Sequence, residues 1–249
     1  MGWWDRDELI MEVDSKDHAL LNEVVERILG KVTATEEFDI EVQIHDLLLK
    51  NVKYVNKEKV TEHTIEGPLL NKKAVCEGIA KATKYLLNRK GIECELVLGK
   101  LKEDQSVFHA WNVVRIDGIW YHIDVTADIG ISDGGNHRYD YFNLSDDEIS
   151  ADHIILDSPV ECTTSRQTYY HRKGMVVNTQ KQFKELLTGR LDEGETEVTI
   201  KLPSTKDPDN VTRTVIDRSL EAMVFSKRKY RHVEVRPNTT QLVFTIIVS

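Results

Sequence analysis

The sequence predicts an α+β protein, with N-terminal helices over an antiparallel sheet and a small C-terminal α+β unit. Three features carry that prediction. The first 55 residues hold two apolar stripes of helical period. The stretch "FHAWNVVRIDGIWYHIDVT", Phe108 to Thr126, reads as two strands joined at Asp117-Gly118, a dipeptide suited to a two-residue hairpin because both positions tolerate positive φ. Beyond Pro159, strand-like and helix-like segments alternate, which divides the chain into residues 1–158 and 159–249.

Taken in order, "KDHALLNEVVERILGKV" predicts a helix whose inward stripe is Leu20, Val24, Ile28 and Leu29, with Gly30 as its stop. A second helix follows, in which Thr33 and Glu36 have capping-box spacing and Ile40, Ile44, Leu47 and Leu48 form the stripe. A loop from Asn56 to Lys73, broken by Gly67-Pro68, leads into a third helix. Its inner face is Cys76, Ile79, Ala80, Thr83 and Leu87, and Gly91 is its terminator. Small residues Gly78, Ala80 and Ala82 would let this helix lie close to the sheet. Cys94 alternates with Ile92, Leu96 and Leu98 in a strand, a packing position. After the hairpin comes a Gly-rich loop, Ala127 to Phe142. The C-terminal unit reads strand, helix, strand, helix, strand from "TYYHRKGMVV" to "TQLVFTIIVS".

With 249 residues, 40% hydrophobic, the chain can bury one or two cores. A net charge of -9 argues against a nucleic-acid partner, and the one dense basic run, Ser226 to His232, reads as a solvated helix end. No stretch approaches the ~20 apolar residues of a membrane span. The N-terminal "MGWWDRDELI" lacks the layout of a secretory leader, which predicts a soluble protein, cytoplasmic unless a leader has been trimmed. Three scattered cysteines make neither a disulfide framework nor paired zinc ligands. "DIGISDGG" lacks calcium-loop spacing.

A thiol becomes a nucleophile by ionising, which a helix N-terminus and a nearby base favour. Cys76 is the one cysteine at a helix start, while Cys162 falls in a linker with no evident role. If Ile116 pairs with Ile119, His109 lies opposite Thr126 and Asp124 opposite Trp111, so His109 and Asp124 sit diagonally on one face, ~7–8 Å apart and bridgeable. On residues alone, two other readings stand beside a Cys76, His109, Asp124 catalytic set. In one, Cys76 is a small buried hydrophobe; in the other, His122, on the same face by that register, joins His109 and Asp124 as a metal-binding facial triad.

In chain order, "VCEGIAKA", "FHAWNVV" and "GIWYHIDVT" resemble the transglutaminase-like superfamily, whose papain-related core uses a Cys–His–Asp triad. The likeness runs from about residue 40 to 155, taking in "IHDLLLKNVKY", "GPLLNKKAVCEG" and "YFNLSDDEISADH". The "CEG" and "HAWN" forms are most similar to its bacterial and cytokinesis-type branch, which includes cysteine proteases and fold-retaining scaffold proteins. Family members often have Pro after the Asp and an aromatic after the Thr; this chain has Val125 and Ala127, which implies a changed pocket wall. The resemblance implies acyl transfer without a cofactor or metal. Cys76 would attack an amide, His109 protonate the leaving amine, Asp124 orient the imidazole, and the Cys76 N–H contribute to an oxyanion hole. Trp111 would line the acyl pocket or pack the core. The expected partner is a peptide or protein substrate. Water as acceptor makes a peptidase or amidase, and a lysine amine makes a transglutaminase.

Overall fold

The computed structural model describes residues 15–56, 59–132, 136–203, 205 and 207–249. The reading of the N-terminal leader, and those parts of the Asn56 to Lys73 loop and of "DIGISDGG" at 57–58 and 133–135, lie outside the described residues. Helix α1 (Ser15–Leu29) buries Leu21, Val24, Val25 and Leu29, whereas Leu20 is half exposed. The expected stripe is therefore rotated by about one residue, a slip that a 3.6-residue period easily admits. Helix α2 (Glu37–Asn51) buries Phe38, Ile40, Ile44 and Leu48, and with them two ionisable groups, Glu41 and His45. The Thr33–Glu36 capping box does not form. Glu36 is the cap residue without a side-chain bond, and the amides of Thr33 and Ala34 donate to Gln43 Oε1 at 2.9 and 3.1 Å.

Two short parallel strands, β1 (Lys53–Tyr54) and β2 (Lys73–Ala74), bracket a 3₁₀ turn at Val60–His63 and a π turn at Gly67–Asn71. Pro68 sits in the first turn of the latter, where its missing N–H costs nothing. Gly67 is required there: a Cβ would come within 2.6 Å of the Thr61 carbonyl oxygen. Helix α3 (Cys76–Arg89) ends as expected at Gly91, whose φ of +83° is the left-handed stop, and the Ile92 amide donates to the Leu87 carbonyl at 3.0 Å.

The main sheet is antiparallel throughout. It comprises β3 (Cys94–Leu101), β4 (Phe108–Ile116), β5 (Ile119–Ile123), β6 (Phe142–Leu144) and β7 (His153–Asp157), ordered β6-β5-β4-β3-β7. The hairpin register is the expected one: Ile116 pairs with Ile119, and Asp117 and Gly118 have φ of 50° and 80°. Pairing stops at Asn112 with Ile123, however. The chain then turns into α4 (Val125–Ile131), so Thr126 lies in a helix instead of opposite His109, and the first five residues of the expected Gly-rich loop are helical. A one-turn helix, α5 (Asp146–Ile149), capped by Ser145, links β6 to β7.

Helices α1 to α4 and one face of the sheet enclose the larger core, which includes Ile79, Leu86, Val114, Tyr121 and Phe142. The opposite face packs Val97, Trp111, Val113 and Leu144. Cys162 belongs to that second cluster. It lies in the irregular stretch between β7 and the next helix, yet it is buried and its carbonyl accepts the Asp146 amide at 2.7 Å, a packing role where the sequence showed none. Past it, "TYYHRKGMVV" forms α6 (Tyr169–Arg172) and a single bridge from Val176 to Lys201 where a strand was expected. Helix α7 (Gln180–Glu193), β8 (Glu197–Lys201), α8 (Val211–Phe225), β9 (Val233–Asn238) and β10 (Val243–Val248) complete the chain, the strands ordered β8-β10-β9. Phe183, Leu187, Ile200, Val215 and Phe244 fill a core of their own. Pro237 is accommodated because β9 is an edge strand. In the basic run after α8, Lys227, Arg228, Lys229, Arg231 and His232 are exposed. No helix among the described residues is long and apolar enough to cross a membrane.

Candidate active site

Cys76, His109 and Asp124 each stand at or beside the end of an element, and packing between those elements brings them together. Cys76 is the first residue of α3, so the unpaired amides of a helix start surround its backbone. The close neighbour of this helix start is the 3₁₀ turn, not the sheet. A Cβ on Gly78 would collide with the Glu62 carbonyl, and the Val75 amide donates to that same oxygen at 3.2 Å. The sheet holds α3 further along, where Asn112 Nδ2 on β4 donates to the Ala80 carbonyl at 3.0 Å. Cys76 is half-buried, while Cys94 and Cys162 are buried. Burial pushes the Cys94 thiol up, and burial together with Asp146 raises Cys162 to about 12. Neither ionises near neutral pH.

His109, the second residue of β4, is nine-tenths buried. Its Nε2 lies 2.6 Å from Asp124 Oδ2, which leaves Nδ1 as the ring nitrogen for the thiol. Asp124 does not complete β5. It caps α4, and its Oδ1 accepts the Ala127 amide at 3.0 Å. That cap fixes one carboxylate oxygen and turns the other toward the imidazole. Burial alone would lower the His109 pKa, but the Asp124 charge and hydrogen bond, with a smaller contribution from Cys76, raise it to about 10. Asp124, despite complete burial, is held well below the usual carboxylate range by His109 and His153. The pair is thus imidazolium and carboxylate at neutral pH.

The structure does not assemble the facial triad of His109, His122 and Asp124. His122 Nδ1 accepts the Trp111 indole N–H at 3.0 Å, and its Nε2 faces Asp146 Oδ1 at 2.7 Å. Indole N–H can only donate, so the proton of a neutral His122 ring is on Nε2 and both nitrogens are engaged. Burial lowers the His122 pKa. The second imidazole on Asp124 is instead His153, whose Nε2 lies 3.1 Å from Oδ2. Its one sequence signal was its place at the end of "YFNLSDDEISADH".

A groove of about 640 Å³ runs past the thiol, walled by Tyr54, His63, Leu98, Leu101, Val107 and Phe108, with Cys76 and His109 on its floor. Trp111 is buried beneath His109, the rings stacked 5.7 Å apart at 22°, and is not part of that wall. Val125 is not part of it either. It occupies the first position of α4 and packs into the larger core, so its substitution for proline changes the helix start and not the groove.

Residues 22–125 match the family model of the transglutaminase-like superfamily. None of the curated proteins compared matches the sequence. Among solved structures, one described as a TGase is similar at 18% identity and a TM-score of 0.42, over 51% of this chain and 36% of that one. A second, described provisionally as a cysteine protease from Cytophaga hutchinsonii, is similar at 17% identity and a TM-score of 0.38, over 46% of this chain and 43% of that one. The chain thus spans less than half the length of either. The stretch that matches the family model, residues 22–125, carries Cys76, His109 and Asp124.

Proposed function

We propose that the protein is a thiol acyl-transfer enzyme acting on amide bonds of peptides or proteins, a cysteine peptidase or amidase in outcome. The observation that carries this reading is the line from the half-buried Cys76, through His109, to the carboxylate of Asp124 at 2.6 Å, opening on a groove. The Cys76 thiolate attacks the carbonyl carbon, forming the C–S bond. The developing oxyanion is stabilised by the Cys76 N–H at the start of α3. Collapse breaks the C–N bond as His109 gives its proton to the departing nitrogen. Water then attacks the thioester, surrenders a proton to His109, and displaces the thiolate, which leaves acid product and restored pair. Asp124 stays ionised and holds the imidazole in position. A primary amine in place of water would give a crosslinked product by the same steps. Open access to Cys76 supports turnover over the alternative of a non-catalytic scaffold.

Iodoacetamide at neutral pH tests this reading. Cys76 is expected to react far faster than Cys94 or Cys162, and His109→Ala is expected to remove that advantage. Equal, slow alkylation of all three thiols would sink the proposal. Peptide hydrolysis measured beside amine incorporation into glutamine then identifies the acceptor.

A further inference from the structure

The groups behind Asp124 form a second tier that the proposed mechanism does not use. His153 opens β7, is almost wholly buried, and has a carboxylate on each ring nitrogen: Asp124 Oδ2 at 3.1 Å from Nε2 and Asp152 Oδ1 at 2.6 Å from Nδ1. Ionised carboxylates only accept, so a ring that satisfies both must carry both protons and a positive charge. The Tyr141 hydroxyl donates to the other Asp152 oxygen at 2.6 Å. Around the ring lie Trp111 at 5.1 Å, His109 at 5.5 Å and Tyr141 at 5.6 Å between centroids, which leave it no room to turn. The titratable groups facing His153 are therefore Asp124 from the α4 cap, Asp152 beside it, His109 from β4, His122 from β5 and Tyr141 ahead of β6.

We propose that His153 is a positioning residue for the catalytic line: a buried cation shared by Asp152 and Asp124, it fixes the carboxylate that orients His109 and weakens that carboxylate's hold on the His109 proton. The inference rests on Cys76 being the nucleophile. Asp124 with a single cation beside it would bind the His109 proton so firmly that delivery to a leaving amine would slow. A second cation on the same oxygen divides its charge between two partners. Both carboxylates raise the His153 pKa against the effect of burial, in keeping with a ring charged at neutral pH.

His153→Gln keeps a donor to Asp124 and removes the charge. The test is the pH profile of Cys76 alkylation by iodoacetate, an anionic reagent whose rate falls as the His109 proton is lost. In the variant this descending limb is expected to move to higher pH by about one unit, the order expected for removing one charge several ångströms away in a partly buried site. A residue that merely propped Asp124 in place would shift the limb the other way when removed, because a loosened carboxylate supports the imidazolium less. An unmoved or lowered limb with Cys76 still selectively reactive therefore overturns the role of His153 alone. Unselective thiols in the wild type overturn the parent reading and this one together. Imidazole nitrogen shifts of the wild type decide the matter even if the variant fails to fold: His153 protonated on both nitrogens from pH 6 to 9 supports the proposal, and a neutral ring overturns it.

Discussion

Asp124 performs two jobs with two oxygens, and substitutions can separate them. Oδ1 caps α4 through the Ala127 amide and Oδ2 holds His109. Asn keeps an acceptor for the cap and loses the charge, whereas Ala loses both. Asp124→Asn and Asp124→Ala should each reduce acyl transfer by roughly 10²–10⁴-fold, the range for a lost general acid–base function. Only Asp124→Ala should also lose the cap, about 1 kcal/mol of stability. Kinetics beside denaturant unfolding of both variants checks this, and equal stability losses would argue against the cap. The linkage sign for His109 follows from its raised pKa. Its contribution to stability is complete below the ordinary histidine value of about 6.5 and is lost as pH climbs through about 10. At this scale the sequence singled out Cys76, His109 and Asp124 as candidates but not their surroundings. His122 and His153 are both strand histidines, and only the departure of the chain from β5 at Asp124 decides which of them reaches the carboxylate.

Among the elements, the sheet beneath the site depends on a missing side chain. Gly99 pairs with His109 across β3 and β4, at the register shift between β3 and β7, and a Cβ there would strike both the Ile154 carbonyl and the Trp111 indole. Gly99→Ala should therefore cost about 1–3 kcal/mol as overpacking, and should disturb the edge strand that carries His153. Gly130, inside α4, meets no atom within 4 Å, and Gly130→Ala should be neutral or stabilise by up to about 1 kcal/mol. Unfolding curves of the two single variants give the comparison, and similar effects at the two sites would refute the account. The elements show where sequence patterns suffice. Asp117-Gly118 determines its own turn, so the hairpin register was legible, as was the Gly91 stop of α3. The rotated stripe of α1, the helical α4 and the helical α6 were not, because each depends on the surface it packs against and local composition does not encode that surface.

Across the whole molecule, buried polar groups tie the helical layer to the sheet. His45 on α2 meets Asp128 on α4 at 2.9 Å, and Asp140, in the stretch between α4 and β6, joins Arg138 to Tyr170 and Asn238, linking that stretch to the C-terminal segment. Glu148 faces Lys201 at 3.5 Å and its carbonyl accepts from Gln241, a second tie between the same parts. Glu41 stands apart in this network. It is completely buried, receives one bond from Asn143 Nδ2 at 2.8 Å, and has Oε1 with no partner. Burial pushes its pKa up to about 8, only partly opposed by Asn143 and His45. A carboxyl that holds its proton more tightly folded than unfolded contributes most below the unfolded value of about 4.5, and that contribution drains away as pH rises toward 8. Near pH 7 the loss is on the order of 3 kcal/mol, at about 1.4 kcal/mol per pH unit above the unfolded value. Glu41→Gln keeps the shape, remains neutral at every pH, and so should escape this loss. The stability of the variant relative to wild type is expected to increase steadily from pH 5 to pH 8. A difference between the two proteins that stays constant over that range would mean that Glu41 is ionised in the fold, and that His45 and Asn143 together compensate its charge.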